Sequence, residues 1–176
     1  MPSSLDNETS LHWFVARTRS SQEISLRDRL GALGVECFIP TRAVVKMRRG
    51  RRVKAEVPLI PNMVFVHASK QDACALANGR GLALYYIVDR FTRSMLVIPD
   101  KQMADFIQVV NYEPQSVCLD DVPIMPGTKV RVVSGELAGI EGEVLSLPTA
   151  TYVVVNIGRI LCAKVHLPKS SIEPVE

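Results

Sequence analysis

The sequence predicts an α+β protein, in which an antiparallel sheet with helices is followed by a small all-β barrel. Three observations lead to this prediction. Apolar residues in 12–110 recur with strand and helix periods in turn, residues 111–126 are rich in proline and acid without a period, and the remaining chain alternates and is punctuated by glycine. The first region has the order β-α-β-β-α-β with a final helix, which is the order of a ferredoxin-like sheet.

The first strand and the first helix are predicted from His12 onward. The apolar-rich segment from His12 to Thr18 is typical of a strand. Ser20 and Glu23 then fit a capping box, in which the hydroxyl and the carboxylate satisfy each other's backbone amides. Gly34 is a natural residue for the end of this helix. The apolar face of the helix consists of Ile24, Leu26, Leu30 and Leu33.

Two strands, from Glu36 to about Lys46 and from Val57 to His67, flank a basic segment and predict a long hairpin. The segment from Lys46 to Lys54 contains six bases in nine residues and no acid. If it neutralised six phosphates, log K for nucleic acid would fall with log salt with a slope of about −5. The alternative is a solvated hairpin tip that only keeps the loop soluble. No aromatic residue lies within the tip, so base stacking is not expected there.

The rest of the first region is predicted to contain two helices and two short strands. A helix from Gln71 to Asn78 is stopped by Gly79, and strands follow at 82–88 and 95–98. Asp100 caps the last helix. Its apolar positions follow the i, i+3, i+4, i+7 pattern and are Met103, Phe106, Ile107 and Val110.

The last part of the chain is predicted to form strands around a glycine-punctuated loop. Residues 129–132 alternate as a half-buried strand does. The glycines that follow suit a loop that passes through positive φ and lies close to a neighbouring strand. Two further strands, 152–157 and 160–167, are joined by Gly158-Arg159, where glycine in the first position predicts a type II′ turn.

These segments divide the chain into a disordered tail at 1–10, a first domain at 11–110, a linker at 111–122 and a second domain at 123–176. The net charge of +3 is unevenly distributed. Residues 1–110 contain 16 Lys and Arg against 10 Asp and Glu, whereas residues 123–176 contain five of each. An anionic partner is therefore expected to bind the first domain.

The sequence lacks the patterns of a metal site, a cofactor site or a catalytic centre. Neither a P-loop, a dinucleotide fingerprint nor a GxSxG motif occurs. No apolar run approaches the roughly 18 residues that span a bilayer, and the polar N-terminus does not read as a secretory signal. The cysteines form no CxxC pair, so buried free thiols are expected at Cys37, Cys74, Cys118 and Cys162. We therefore expect a cytoplasmic protein that is not an enzyme and uses no cofactor, metal, membrane or small-molecule substrate.

Several motifs resemble those of the NusG family of transcription elongation factors. Trp13-Phe14-Val15, Cys37-Phe38-Ile39-Pro40 and the segment from Pro61 to Val66 resemble its NGN domain, and the last of these is close to the motif of the specialised antiterminator RfaH. The second domain resembles its SH3-like KOW barrel. The residues that carry this second resemblance are Gly127, Val130, Arg131, Val132, Gly135, Gly139, Gly142 and Val144.

The resemblance implies binding to RNA polymerase. An apolar patch of the NGN domain would dock on the clamp helices of the β′ subunit and bridge to the β gate loop, which suppresses pausing and termination. The Thr-rich motif for the gate loop is absent near Asp72-Ala73-Cys74. The implied clamp-binding residues are Trp13, Phe14, Ile60, Pro61, Met63 and Phe65. The bases expected to meet DNA near the transcription bubble are Arg17, Arg19, Arg48, Arg49, Arg51, Arg52 and Arg80.

The resemblance also implies a second partner for the KOW domain, such as ribosomal protein S10 or the termination factor Rho. Pro61-Asn62 and Gly135-Glu136-Leu137 depart from the housekeeping patterns, and the chain is more similar to specialised paralogues of the Bacteroides UpxY type. Such paralogues antiterminate within their own capsular polysaccharide operons. The alternative is a ribosome-associated or RNA-binding KOW protein, against which the neutral charge of residues 123–176 argues.

Overall fold

The computed structural model describes residues 10–79, 81–112, 114, 118–120, 127–147 and 149–175. Its contacts divide the chain into two compact units, Met1–Asp100 and Lys101–Glu176. The predicted disordered tail lies outside the described residues except for Ser10. Among the helices that the structure describes, none is both long and apolar enough to cross a bilayer.

The first unit contains the predicted antiparallel sheet. Its strands run in the order β2-β5-β1-β6, and β7 also pairs with β1. The central pair registers His12 with Ala68 and Arg17 with Met63. The bounds are β1 His12–Arg17, β2 Glu36–Phe38, β5 Met63–Ala68, β6 Tyr85–Tyr86 and β7 Val97–Ile98, with helices α1 Glu23–Ala32 and α2 Lys70–Gly79.

The two faces of this sheet contain different sets of buried side chains, because successive residues of a strand point to opposite faces. One set packs with Leu26 and Leu30 of α1 and Leu76 of α2 in a single core cluster. We call this the Phe14 face; its sheet residues are Phe14, Ala16, Val64 and Val66. The opposite side, which we call the Phe65 face, is formed by Trp13, Val15, Met63 and Phe65.

Helix α1 ends as predicted but begins differently. Gly34 has φ +72°, and the amides of Gly34 and Val35 donate to the carbonyls of Gly31 and Leu30, which is a Schellman motif. The predicted capping box is wrong: the N-cap is Gln22, and no side chain caps it. Glu23 instead accepts a hydrogen bond from the backbone of a distant turn, as described below.

The basic segment forms a separate two-stranded hairpin. Strands β3 (Thr41–Arg48) and β4 (Arg51–Pro58) pair over eight residues, from Thr41 with Pro58 to Arg48 with Arg51. Arg49 and Gly50 have φ of +50° and +75°, which are the values that a two-residue hairpin turn with matching twist requires. The predicted hairpin is confirmed, but each of its two predicted strands is broken in two. Strands β2 and β5 pair in the larger sheet, whereas β3 and β4 form a sheet of their own.

The second unit begins ten residues before the predicted end of the first domain, with helix α3 (Asp100–Tyr112) contributing almost its whole length. Three side chains of α3 account for this: the Gln108 amide donates to the Glu136 carbonyl at 2.7 Å, Lys101 Nζ donates to the Gly139 carbonyl at 3.1 Å, and Gln102 accepts from the Gly158 amide at 3.3 Å. The predicted boundary at residue 110 therefore does not coincide with the boundary between the compact units.

The rest of the second unit is a six-stranded antiparallel sheet in the order β13-β9-β10-β11-β12-β8. Strand β8 lies inside the predicted linker, because the edge of β12 at 162–164 offers it unpaired backbone groups. A 3₁₀ turn at Lys169–Ser171 precedes the last strand. The bounds are β8 Cys118–Asp120, β9 Lys129–Val132, β10 Glu141–Ser146, β11 Thr151–Ile157, β12 Leu161–His166 and β13 Ile172–Pro174.

Two local predictions in this unit have different outcomes. Gly135 and Gly139 have φ of +84° and +92°, which confirms a loop that passes through positive φ. The predicted type II′ turn is wrong, because both Gly158 and Arg159 have positive φ, at +52° and +61°. Positive φ at both central residues is the mark of a type I′ turn.

The prediction of buried thiols holds only in part. Cys162 is buried, Cys37 is partly buried and Cys74 is exposed on α2. Burial raises the pKa of the Cys37 thiol. The side chain of Cys118 lies outside the described residues.

Candidate docking face and nucleic-acid interface

The structure brings three of the six implied docking residues together on the Phe65 face. The β1–β5 register places Trp13, Met63 and Phe65 on the same side of the sheet. All three are buried, with exposed fractions of 7%, 3% and 0%. The Trp13 ring stacks on the His67 ring, with 4.7 Å between the ring centroids. The ring centroids of Phe65 and Phe38 are 6.4 Å apart.

Phe14 belongs to the other side of the sheet. It lies in the core cluster with the helices and contacts the edge of Tyr86 at 6.0 Å between ring centroids. Phe14 therefore shares no face with Met63 and Phe65, although it is adjacent to Trp13 in sequence. Ile60 is also buried, whereas Pro61 is exposed at the turn that leads into β5.

The Pro61-Asn62 turn is held by two hydrogen bonds of the Asn62 backbone, one with a side chain and one with another backbone group. The Asn62 amide donates to the Glu23 carboxylate at 2.8 Å, and the Thr18 amide donates to the Asn62 carbonyl at 2.9 Å. Asn62 has φ +62°, a left-handed conformation that glycine and asparagine adopt most readily. Sequence reasoning noted the departure from Pro-Gly here, and the positive φ explains why asparagine can replace glycine.

The basic hairpin presents its cations to solvent. Every residue from Val45 to Lys54 is exposed. Arg48 and Arg51 are paired across the last rung before the turn, so their guanidinium groups project from the same face. The structure therefore brings together all four hairpin arginines that the sequence singled out: Arg48, Arg49, Arg51 and Arg52.

The base of the hairpin is attached to helix α1 by a forked ion pair. Arg27 Nη1 and Nη2 donate to the two Glu56 oxygens at 2.6 and 3.0 Å, and the Thr41 hydroxyl donates to Glu56 Oε1 at 2.6 Å. The hydrogen bonds from Arg27 and from Thr41 lower the pKa of the Glu56 carboxyl below its ordinary value. No local pattern signals this contact, because Arg27 and Glu56 are 29 residues apart.

The remaining predicted bases are placed less closely. Arg17 is exposed at the end of β1, and Arg19 is exposed in the turn after it. Arg80 lies outside the described residues. Sequence reasoning missed Tyr85, which pairs with Arg17 across β1 and β6 and is 59% exposed. The aromatic pair Tyr85-Tyr86 was the available signal, since alternation requires that one ring face away from the core.

In the second unit, the residues of the glycine-rich motif form a strand, a loop and a second strand. Val130 and Val132 are buried, whereas Lys129 and Arg131 are exposed, which confirms the predicted alternation. Gly142 pairs with Val130 in the ladder between β9 and β10. Arg131 donates to Glu141 at 2.6 Å, and this hydrogen bond lowers the pKa of the Glu141 carboxyl.

Comparison with known proteins gives one family match and several structural matches. The family described as "Transcription termination factor nusG" matches residues 11–107. The structure "Domain interaction in Thermotoga maritima NusG" matches with a TM-score of 0.50 at 19% identity, covering 95% of this chain and 98% of that chain, which supports the fold alone. An MjSpt4:Spt5 complex, in conformation A, covers 93% of this chain and 98% of that chain at 14% identity, but its TM-score of 0.28 is too low to support an argument.

Within the part of the chain that the structure describes, antiparallel sheets are combined with three α-helices. The family match defines the class as a transcription factor of the NusG type. Since the match covers more than half of the residues, the chain belongs to the NusG family. This membership supports a general role in transcription elongation.

Proposed function

We propose that the protein is a transcription elongation and antitermination factor that binds RNA polymerase through its first domain and recruits a partner through a KOW domain at 123–176. The observation that carries this proposal is the family match over residues 11–107, because that segment contains both the Phe65 face and the basic hairpin. The same assignment makes the protein a cytoplasmic, non-enzymatic factor.

The Phe65 face is the proposed contact with the β′ clamp helices. Met63, Phe65 and Trp13 place apolar side chains on one side of the β1–β5 pair. Ile60 and the exposed Pro61 lie in the segment that leads into β5. Because Met63 and Phe65 are buried in the structure, docking requires this face to be uncovered when the protein binds. Phe14 supports the core beneath the helices, and we leave it out of the proposed contact.

The basic hairpin is the proposed contact with DNA near the transcription bubble. Its bases are exposed, and no acid interrupts them between Lys46 and Lys54. The fork between Arg27 and Glu56 fixes the hairpin on α1, which would hold its charges at a set position on the first unit. Phosphate contacts of this kind position a protein on nucleic acid without reading its sequence.

The finer assignment is an operon-specific paralogue that acts on capsular polysaccharide genes. The support is the departure from housekeeping motifs at Pro61-Asn62 and at 135–137. The proposed partners are the β gate loop through the start of α2, and ribosomal protein S10 or Rho through the KOW domain.

The experiment is to isolate the protein with its bound partners and to map its position along the genome together with RNA polymerase. The proposal predicts that it co-purifies with polymerase and accumulates on transcribed genes, at one or a few operons for a specialised factor. Signal at most operons would be consistent with a general role in elongation and would contradict the operon-specific role. Recovery with ribosomes and no enrichment on polymerase would contradict the proposal in favour of an RNA-binding KOW protein.

A further inference from the structure

A short loop of the first unit presents an aromatic ring to solvent. The loop runs from Asp89 to Ser94 and is closed by a bridge between Val88 and Met95. The Asp89 amide donates to the Ser94 carbonyl at 2.8 Å, and the Arg93 amide donates to the Asp89 carbonyl at 2.9 Å. At its tip the Phe91 side chain is 89% exposed. We call this segment the Phe91 loop.

The conformation of the Phe91 loop is set by its own polar side chains. The Asp89 carboxylate accepts hydrogen bonds from the amides of Phe91 and Thr92, at 2.7 and 3.0 Å. The hydroxyl groups of Thr92 and Ser94 lie 2.8 Å apart. This is the geometry by which an aspartate stabilises a turn. The ring is therefore held outward by a preorganised backbone, which lowers the entropy lost when a ligand binds it.

Two arginines lie on either side of Phe91 in the sequence of the loop. Arg90 and Arg93 are both exposed. Within the part of the chain that the structure describes, neither guanidinium forms an ion pair. The exposed ring thus lies in a loop with two exposed arginines, and their positive charge favours an anionic ligand.

We propose that the Phe91 loop is a binding site for single-stranded nucleic acid, in which the Phe91 ring stacks on a base and Arg90 and Arg93 contact the flanking phosphates. Proteins that bind single strands combine aromatic platforms with basic side chains in this way. Duplex bases are already stacked on one another, so a lone exposed ring gains most from an unpaired base. The net charge of +6 over residues 1–110 favours the same partner.

The loop supplies a contact that the basic hairpin lacks. The hairpin contains six bases and no aromatic between Lys46 and Lys54, so it can bind phosphates but cannot stack. Phe91 adds the stacking surface at a second place on the first unit. This inference does not rest on polymerase docking, because the isolated chain would bind the strand by itself.

The test is a titration of the full-length protein against fluorescently labelled 12-mers of deoxythymidine and of uridine, read by anisotropy. Phe91→Ala should weaken binding about fivefold or more in at least one of the two, since loss of one stacked base has at least that effect. Phe91→Tyr should retain the affinity. Val88→Ala is the matched control, because Val88 is also exposed, at 55%, and lies at the edge of the same loop. All variants should unfold at the wild-type urea midpoint.

A second arm separates stacking from charge. The same two proteins are titrated against a 12-mer of abasic phosphodiester. On going from the base-bearing strands to the abasic one, wild type should lose more affinity than Phe91→Ala does. Arg90→Gln with Arg93→Gln should reduce the salt slope by about 1.4. Equal affinity of wild type and Phe91→Ala for both base-bearing strands would overturn the proposal. So would equal losses of wild type and Phe91→Ala on removal of the bases, which would leave the ring as a contact for protein.

Discussion

Arg27 and Glu56 form a bidentate ion pair that joins helix α1 to the base of the basic hairpin. Its two N–O distances are 2.6 and 3.0 Å. Thr41 adds a third hydrogen bond to the same carboxylate. The hairpin has its own two-stranded sheet, so this cluster contributes to its placement on the first unit. The position of the proposed DNA contact thus depends on Glu56, an acidic residue at the base of the basic hairpin.

The first prediction concerns the pH dependence of this pair. The pKa of Glu56 is lowered from its ordinary 4.5, so the stabilisation is present above that value and is lost as pH falls through the lowered folded-state pKa. Glu56→Gln should lower the free energy of unfolding at pH 7 by no more than about 1 kcal/mol, because the pair is partly exposed. It should also flatten the loss of stability below pH 4.5. Urea unfolding between pH 7 and pH 3 measures both effects.

Asp28→Asn is the control for that measurement. Asp28 lies 3.5 Å from the same guanidinium but is 69% exposed. Its removal should change neither the stability nor its pH profile. An effect as large as that of Glu56→Gln would mean that the fork is not the important contact.

The second prediction concerns the turn before β5. Glu23 is 4% exposed and accepts the Asn62 amide at 2.8 Å, so its truncation leaves a donor without a partner. Glu23→Ala should cost about 1–3 kcal/mol in unfolding free energy. Glu23→Gln keeps an acceptor oxygen and should cost less. If the alanine and glutamine variants unfold at the same urea concentration, the hydrogen bond contributes nothing.

The third prediction concerns close packing in the second unit. A Cβ at Gly142 would lie 2.5 Å from the Val154 carbonyl oxygen and 2.8 Å from Val153 Cγ1. Gly142→Ala should therefore destabilise the second unit by about 1–3 kcal/mol. Gly31→Ala, in helix α1 with no atom within 4 Å of the added carbon, should stabilise by roughly 0.5–1 kcal/mol. Calorimetry of the two variants checks the opposite signs, and equal signs would contradict the prediction.

The fourth prediction concerns the salt dependence of nucleic-acid binding. Replacing the four hairpin arginines with glutamine should reduce the slope of log K against log salt by roughly 3 to 4 on duplex DNA. Lys70→Gln removes an exposed base of α2 outside the hairpin and should leave the slope unchanged. An unchanged slope in the four-residue variant would return the hairpin to the role of a solvated tip.

Patterns that depend on neighbours in sequence predicted the fold best. The Gly34 end of α1, the alternation of Val130 and Val132 and the long hairpin needed only local spacing. The prediction of a capping box was wrong because the Glu23 carboxylate accepts a hydrogen bond from Asn62, 39 residues away. A capping arrangement does occur at α2, where the Asp72 amide and carboxylate both bond the Ser69 hydroxyl, at 3.1 and 2.7 Å.

The candidate site was predictable in composition but not in arrangement. The sequence singled out the hairpin arginines and the strand from Met63, but it could not show that Phe14 and Phe65 lie on opposite faces until the β1–β5 register was known. It also missed Tyr85 and Phe91, because exposure of an aromatic ring depends on how the surrounding chain packs. The ion pair between Arg27 and Glu56 was missed because its two residues are 29 apart in sequence.

The central claim is tested most directly by the affinity of the full-length chain for an RNA polymerase elongation complex, compared between Phe65→Leu and Phe14→Leu. The two rings have exposed fractions of 0% and 2%, so both substitutions remove buried aromatic contacts at a similar cost in stability. Docking through the Phe65 face predicts that Phe65→Leu weakens binding about tenfold or more, whereas Phe14→Leu binds like wild type. Equal affinities of the two variants, whether unchanged or weakened alike, would contradict it.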